Sequence, residues 1–285
     1  MNAALWGAIC ALSWGGADFA ARFSGRALGP RNGLFAMLLV GSAVLSAWHW
    51  WQPGEGPWEP SALWLLLVCG IATMIATLLL YAGLARGPVT VVAPIVGAYP
   101  VLVAAFWVAA GLRPAPIQWL AMAVTVAGVM IVARAGEARG DGETRGQDHG
   151  SVTIALLAAA GFAVVFVSGQ AAVPIFGELR TLWASRLISL ASLGLVFLLR
   201  RERPLMPWRW WPLLALQGLL DAGGYLAVFT GSHGEGQALV AVTASAFGAV
   251  TVLLARIFLR ERMSLWQWLG IVMIFTGVGV LAGYA

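Results

Sequence analysis

Lysine is absent from this chain, so all 17 of its basic side chains are arginine, and charged residues of both signs make up only 10% of the sequence. An ordinary soluble domain carries about 25%. Since 60% of the residues are hydrophobic, a water-soluble fold would have nowhere to hide the excess apolar surface. The net charge of +5 is no footprint of nucleic acid, because the arginines gather at the ends of apolar runs instead of along one polar face. Cysteine is scarce too. Cys10 and Cys69 both fall inside apolar runs, so no disulfide framework is readable and the two read as small buried hydrophobes. His49, His149 and His233 sit at run ends or in loops, without the Cys or carboxylate spacing of a metal site. The His-Glu-x-x-His, Gly-x-Ser-x-Gly and Walker-type patterns are missing as well. These absences argue against an enzyme, against ATP-driven transport by this chain alone, and for no cofactor.

What the chain has in place of charge is length of apolar run. The stretches from Ser61 to Ala85 and from Val89 to Ala110 contain no charged residue at all. About 20 apolar residues cross the ~30 Å hydrocarbon core of a bilayer as a helix. The sequence therefore predicts an all-α membrane protein of ten transmembrane helices: Leu5 to Ala21, Asn32 to Trp51, Ser61 to Ala85, Val89 to Ala110, Ile117 to Ala133, Ser151 to Phe176, Thr181 to Leu199, Pro212 to Ser232, Gln237 to Ala255 and Leu265 to Tyr284. No Arg precedes the first run, which reads as a retained helix instead of a cleaved leader. The Gly-, Glu-, Asp- and Arg-rich stretch 135–150 reads as a flexible linker between a first unit, 1–134, and a second, 151–285.

The two units match each other. At a constant shift of 149 residues Gly87 meets Gly236, Val91 meets Val240, Val101 meets Val250, Arg113 meets Arg262, Gln118 meets Gln267, Trp119 meets Trp268 and Gly128 meets Gly277. The same shift carries Arg31 onto Arg180. A duplicated unit with an odd number of spans must enter the membrane from opposite sides, so the expectation is two inverted five-helix repeats around a central cavity. Loops after the odd-numbered spans hold 14 of the 17 arginines, counting Arg31 at the edge of the second span. Arginine-rich short loops stay in the cytoplasm, which puts both termini outside, on the periplasmic face of an inner membrane.

The segment from Leu259 through Arg260, Glu261, Arg262, Met263 and Ser264 to Trp266-Gln267-Trp268-Leu269-Gly270, with Gly277 beyond, resembles the hallmark between the last two helices of EamA-type members of the drug/metabolite transporter superfamily. Ala93-Pro94, Pro100 and the run from Leu112-Arg113 to Gln118-Trp119-Leu120 look like its first-half copy, with Leu112 where the Glu stands in the second, and Trp14-Gly15 is similar to the family's first-helix Trp-Gly. The resemblance implies the ten-helix fold of that family, with the fifth and tenth spans peripheral and the halves rocking to give alternating access. It also implies export of amino acids or similarly small amphipathic solutes.

Within the spans only Asp18, Arg186 and Asp221 are charged. Asp221 lies near the centre of the eighth, where a carboxylate costs roughly 2.5–3.5 kcal/mol to insert and so must face a cavity or a partner. Gln217, Asp221 and Tyr225 share one helix face, at intervals of four. Asp221 reads as a substrate or proton site, the alternative being a structural ion pair with Arg186. Arg186 reads either as a fork for a substrate carboxylate or as a snorkelling interfacial cation. Asp18 stands four residues before Arg22, the spacing of a plain interfacial pair, with Trp14 one turn away as a second candidate on the same side. Pro94, Gly97 and Pro100 interrupt the fourth span and predict a gate or site there, and Ser245 and Gly248 occupy the matching part of the ninth. Tyr81, Tyr99 and Gln170 are further candidates for ligand contact. The tryptophans at span ends, such as Trp50, Trp51 and Trp208, read as an interfacial belt.

The expected partners are thus a small-molecule solute, a proton and bilayer lipid, with no metal and no nucleic acid. The oligomeric state stays open, a monomer being the simpler expectation. An importer of the same solutes, a channel and a non-transporting membrane receptor are the competing readings.

Overall fold

A computed structural model describes residues 3–52, 58–111, 113–137, 145–231, 240 and 243–283. Leu112, Ser232, His233, Gly236, Gln237, Tyr284 and residues 138–144 of the expected linker lie outside the described residues. The described chain is helical almost throughout: α1 (Ala3–Leu28), α2 (Pro30–Trp51), α3 (Leu63–Arg86), α4 (Val89–Gly97), α5 (Tyr99–Ala109), α6 (Pro116–Glu137), α7 (Arg145–Phe176), α8 (Glu178–Leu199), α9 (Trp211–Gly231), α10 (Phe247–Phe258) and α11 (Leu265–Gly283). Among the described residues seven stretches are long and apolar enough to cross a membrane: α2, α3 with its 3-10 lead from Pro60, the α4–α5 run, α6, α7, α8 and α11. Helices α1, α9 and α10 fall outside that group, α1 carrying Asp18, Arg22 and Arg26.

Two elements run into the stretch that the sequence predicts as linker. Helix α6 continues to Glu137 and α7 already begins at Arg145, so helix enters the expected linker from both sides. No proline stops either end there, and Ala, Glu and Arg are ordinary helix formers.

Tight reversals follow from single residues. Gly29 (φ 86°) separates α1 from α2 and Gly177 (φ 79°) separates α7 from α8, each in a backbone conformation that a Cβ would oppose. The predicted break in the fourth span is present. Pro94 lies inside α4, Pro100 opens α5, and Ala98 (φ −81°, ψ 1°) leaves the helix between them, because a proline lacks the N–H and crowds the carbonyl four residues back. A matching turn at Ala246 (φ −71°, ψ −1°) precedes α10.

The helix pairings recur between the halves. Helix α3 packs along α7 as α1 packs along α9, and α3 meets α8 as α9 meets α2. A Cβ at Gly70 would come within 2.6 Å of Ile188 Cβ and 2.7 Å of the Ser185 carbonyl, while one at Gly218 would come within 2.6 Å of Val40 Cβ and 3.0 Å of the Met37 carbonyl. Adding 148 turns residues 70, 37 and 40 into 218, 185 and 188, so one contact is made twice. Gly29 and Gly177 obey the same 148. The register of these helices is therefore one residue short of the expected 149, and Arg31 corresponds to Leu179, not to Arg180. Close backbone contacts reveal the slip where an isolated identity concealed it.

The 149 shift itself holds for α6 and α11. Gln118 Oε1 accepts from the Ala115 N–H at 2.8 Å, and Gln267 Oε1 from the Ser264 N–H at 2.9 Å, so each helix start is capped by its own glutamine. A Cβ at Gly128 would lie 2.6 Å from the Gly270 carbonyl, and one at Gly277 would lie 2.7 Å from that of Ala121. Ascending α6 thus means descending α11: the two helices cross antiparallel. Because backbone faces backbone at this crossing, Gly128→Ala is expected to cost about 1–3 kcal/mol. Gly150→Ala, whose new methyl would meet nothing within 4 Å, should leave the melting temperature in detergent unchanged. Equal melting of the two variants would refute the crossing.

Candidate functional site

The core holds a cavity of about 70 Å³, room for roughly five waters. Helix α1 contributes Trp14 and Asp18, α3 gives Tyr81, α5 gives Tyr99, α8 gives Arg186, and α9 gives Asp221 and Tyr225. Every one of these was a sequence candidate. Arg186 and Asp221 form the ion pair that stood as the alternative reading of Asp221. Arg186 Nη2 donates to Oδ1 at 3.2 Å and lies 3.1 Å from Oδ2, which accepts no aligned hydrogen bond of its own. The guanidinium also covers the Tyr225 ring, 4.6 Å from its centroid. With a side chain only 5% exposed, Arg186 does not snorkel to the interface.

The aromatic wall is ordered by edge contacts. Trp14 Nε1 donates to the Asp221 carbonyl at 3.2 Å, and its ring meets Tyr225 and Phe247 edge-on at 4.9 and 5.9 Å between centroids. Tyr99 stacks on Phe166 at 4.5 Å. Gln217 shares the helix face of Asp221 as expected but stands behind the wall, fully buried. Its Nε2 donates to the Tyr81 hydroxyl at 2.5 Å and its Oε1 accepts from Ser24 Oγ at 2.9 Å, so it positions Tyr81.

Other candidates lie elsewhere. Gln170 is exposed, its Oε1 accepting from the Trp107 indole at 3.0 Å. Ser245 is half-buried in the turn before α10 and does not line the cavity. Gly248 lets α10 approach the Phe275 ring, where a Cβ would come within 2.9 Å, and Pro94 and Gly97 are buried in α4. Gly248 is thus a close-packing position, and Pro94 sits at the break of the fourth span. Met37, Phe162, Phe166 and Phe247 also line the cavity and had no signal in the sequence, because apolar residues of this kind occupy every span. Among the described residues no group of His, Cys, Asp or Glu could hold a metal ion.

A family model, described as the EamA-like transporter family, matches the chain twice, over residues 1–134 and 150–283. The chain belongs to that family. It is accordingly a multi-pass membrane protein of the drug/metabolite transporter superfamily, whose EamA members are transporters, not enzymes. No curated protein matches it in sequence. A crystal structure described only as that of a protein superposes with a TM-score of 0.67 over 99% of either chain at 19% identity, a likeness that shows the fold.

In this EamA-like chain the hallmark turn has a structural task. Glu261 accepts from the Val89 N–H (3.2 Å), the Thr90 N–H (3.1 Å) and the Thr90 hydroxyl (2.8 Å), and so caps the start of α4. It also lies 3.5 Å from Arg22. Arg22 donates in turn to the Gly87 and Leu84 carbonyls, at 2.8 and 3.3 Å, at the end of α3. The expected local pair of Asp18 with Arg22 is therefore not formed. Arg22 reaches a helix C-terminus and an acid brought up from the far end of the chain, while Asp18 turns to the cavity.

Proposed function

We propose that this EamA-like protein is a secondary transporter that carries a small amphipathic metabolite across a bacterial-type inner membrane by alternating access, in the direction of export. Amino acids are the solute class that the family resemblance suggests. The observation that carries the reading is the cavity itself. It lies between helices of both family-matched segments and is lined by opposite charges and aromatic rings, at a depth where unpaired charge is expensive and therefore functional. Trp14, Asp18, Tyr81, Tyr99, Arg186, Asp221 and Tyr225 contact the solute in this reading, and the break between Pro94 and Pro100 is where α4 and α5 flex.

The same reading takes the fold as ten spans in two inverted repeats, 1–134 and 151–285, joined by 135–150. The contacts made twice and the antiparallel crossing of α6 and α11 support it, as a pseudo-twofold axis in the membrane plane would generate both. The arginine distribution supports both termini outside. Purified protein in proteoliposomes should show saturable counterflow of a labelled amino acid that an excess of the same solute on the far side accelerates. Unitary conductance steps, or ligand binding with no counterflow of any solute, would sink the transporter reading. Reporter fusions that place the C-terminus in the cytoplasm would overturn the orientation alone.

A further inference from the structure

The charges around the cavity do not balance. Among the described residues its wall holds two carboxylates, Asp18 and Asp221, and one guanidinium, Arg186. Arg186 is committed to Asp221 on one side and to the Tyr225 ring on the other. Arg22, the nearest cation along α1, is turned away to Gly87, Leu84 and Glu261. Asp18 is left with neither an ion pair nor a hydrogen bond among the described residues. The titratable groups that share the cavity with it are Tyr81 of α3, Tyr99 of α5, Arg186 of α8, and Asp221 and Tyr225 of α9; α2, α4, α7 and α10 present none there.

A carboxylate held away from bulk water is stable only with a proton on it or a cation against it. The lining suits the second state, since Trp14, Tyr99 and Phe247 give the cavity an aromatic wall against which the body of an organic cation can pack. We propose that Asp18 binds a small organic cation in exchange for a proton: the Asp18 carboxyl releases H⁺ to water as the cation takes its place, and no covalent bond other than that O–H is broken. A zwitterionic amino acid fits less well, because its carboxylate would have to take Arg186 from Asp221. The inference narrows the solute class proposed above, and its consequence, cation/proton antiport, rests on the transport reading, but the binding step can be measured by itself.

The test is isothermal titration of the detergent-purified protein with phenyltrimethylammonium, whose charge is permanent, in buffers of different ionisation heat and across pH. Where Asp18 carries its proton, about one proton should be released per cation bound, and affinity should rise by up to about tenfold per pH unit until the proton is lost, then level off. The size-matched anion 3-phenylpropionate should not bind, and Asp18→Asn should lose at least about tenfold in cation affinity. The wild-type proton release stands as a result even if that variant does not fold. Binding of the anion in place of the cation, cation binding without proton release at any pH, or undiminished binding by folded Asp18→Asn would each overturn the proposal. Cation binding with proton release but no counterflow would remove the transporter reading and leave the site. Counterflow of another solute without any cation binding would do the reverse.

Discussion

Glu261→Ala is expected to destabilise the folded protein by about 3 kcal/mol, read as a fall in melting temperature in detergent. The glutamate and Arg22 have side chains only 14% and 10% exposed, so removal of the acid leaves a guanidinium with little water to replace it. The start of α4 loses its cap at the same time, since the Val89 and Thr90 N–H groups have Glu261 as their acceptor. The pair also sits where two helix ends favour it. The positive N-terminal end of α4 faces the acid, and the negative C-terminal end of α3 faces the arginine. Arg22→Ala should cost a similar amount, and the double variant clearly less than the sum of the two, because either single change already removes the attraction between the two charges. Additive effects, or a loss below about 0.5 kcal/mol for Glu261→Ala, would show the pair to be a solvated surface contact. The first half carries Leu112 at the position that matches Glu261, so the repeat supplies no second acid at the corresponding turn.

Asp221→Ala is the other change with a large expected effect, about 3–5 kcal/mol, for a related reason in a different place. Arg186 would remain in the core, 5% exposed, beside the Tyr225 ring and the Met37 sulfur but without a carboxylate against it. Replacing both members, Arg186→Met with Asp221→Leu, should restore much of the lost stability, since a buried pair exchanged for apolar groups of similar volume is often neutral. Thermal melting of the two single variants and the double variant checks this. A double variant no more stable than Asp221→Ala would mean that the two charges are not coupled. The double variant should still fail in solute counterflow, because the cavity would have lost the ion pair in its wall.

Much of the architecture was legible along the chain because its signals are one-dimensional. A run of apolar residues without charge is a helix in lipid whatever it packs against, and Pro94 with Pro100 breaks its helix by local sterics. The candidate site was legible in part for the same reason: an isolated Asp or Arg inside such a run must face something polar. Which polar group it faces is another matter. The four-residue spacing of Asp18 and Arg22 suggested a local pair, but Arg22 found stronger acceptors at the end of α3 and a carboxylate 239 positions further along (261 − 22). Gln170 had the chemistry of a ligand contact and faces the Trp107 indole at the surface instead.

What the sequence by itself determined is membership of a membrane family, its apolar helical character, the matching of its two halves, and the short roster of polar residues that lipid would not tolerate. Each depends on composition or on residues near one another along the chain. Only the tertiary structure decided that the register of α2 and α3 against α8 and α9 is 148, that Arg186 answers Asp221, that Glu261 caps α4, and that Asp18 faces the cavity with no counter-charge among the described residues. Those outcomes depend on which helix faces meet. Helix rotation and packing are set by small residues such as Gly70, Gly128 and Gly218, whose effect appears only when the opposing backbone is in place.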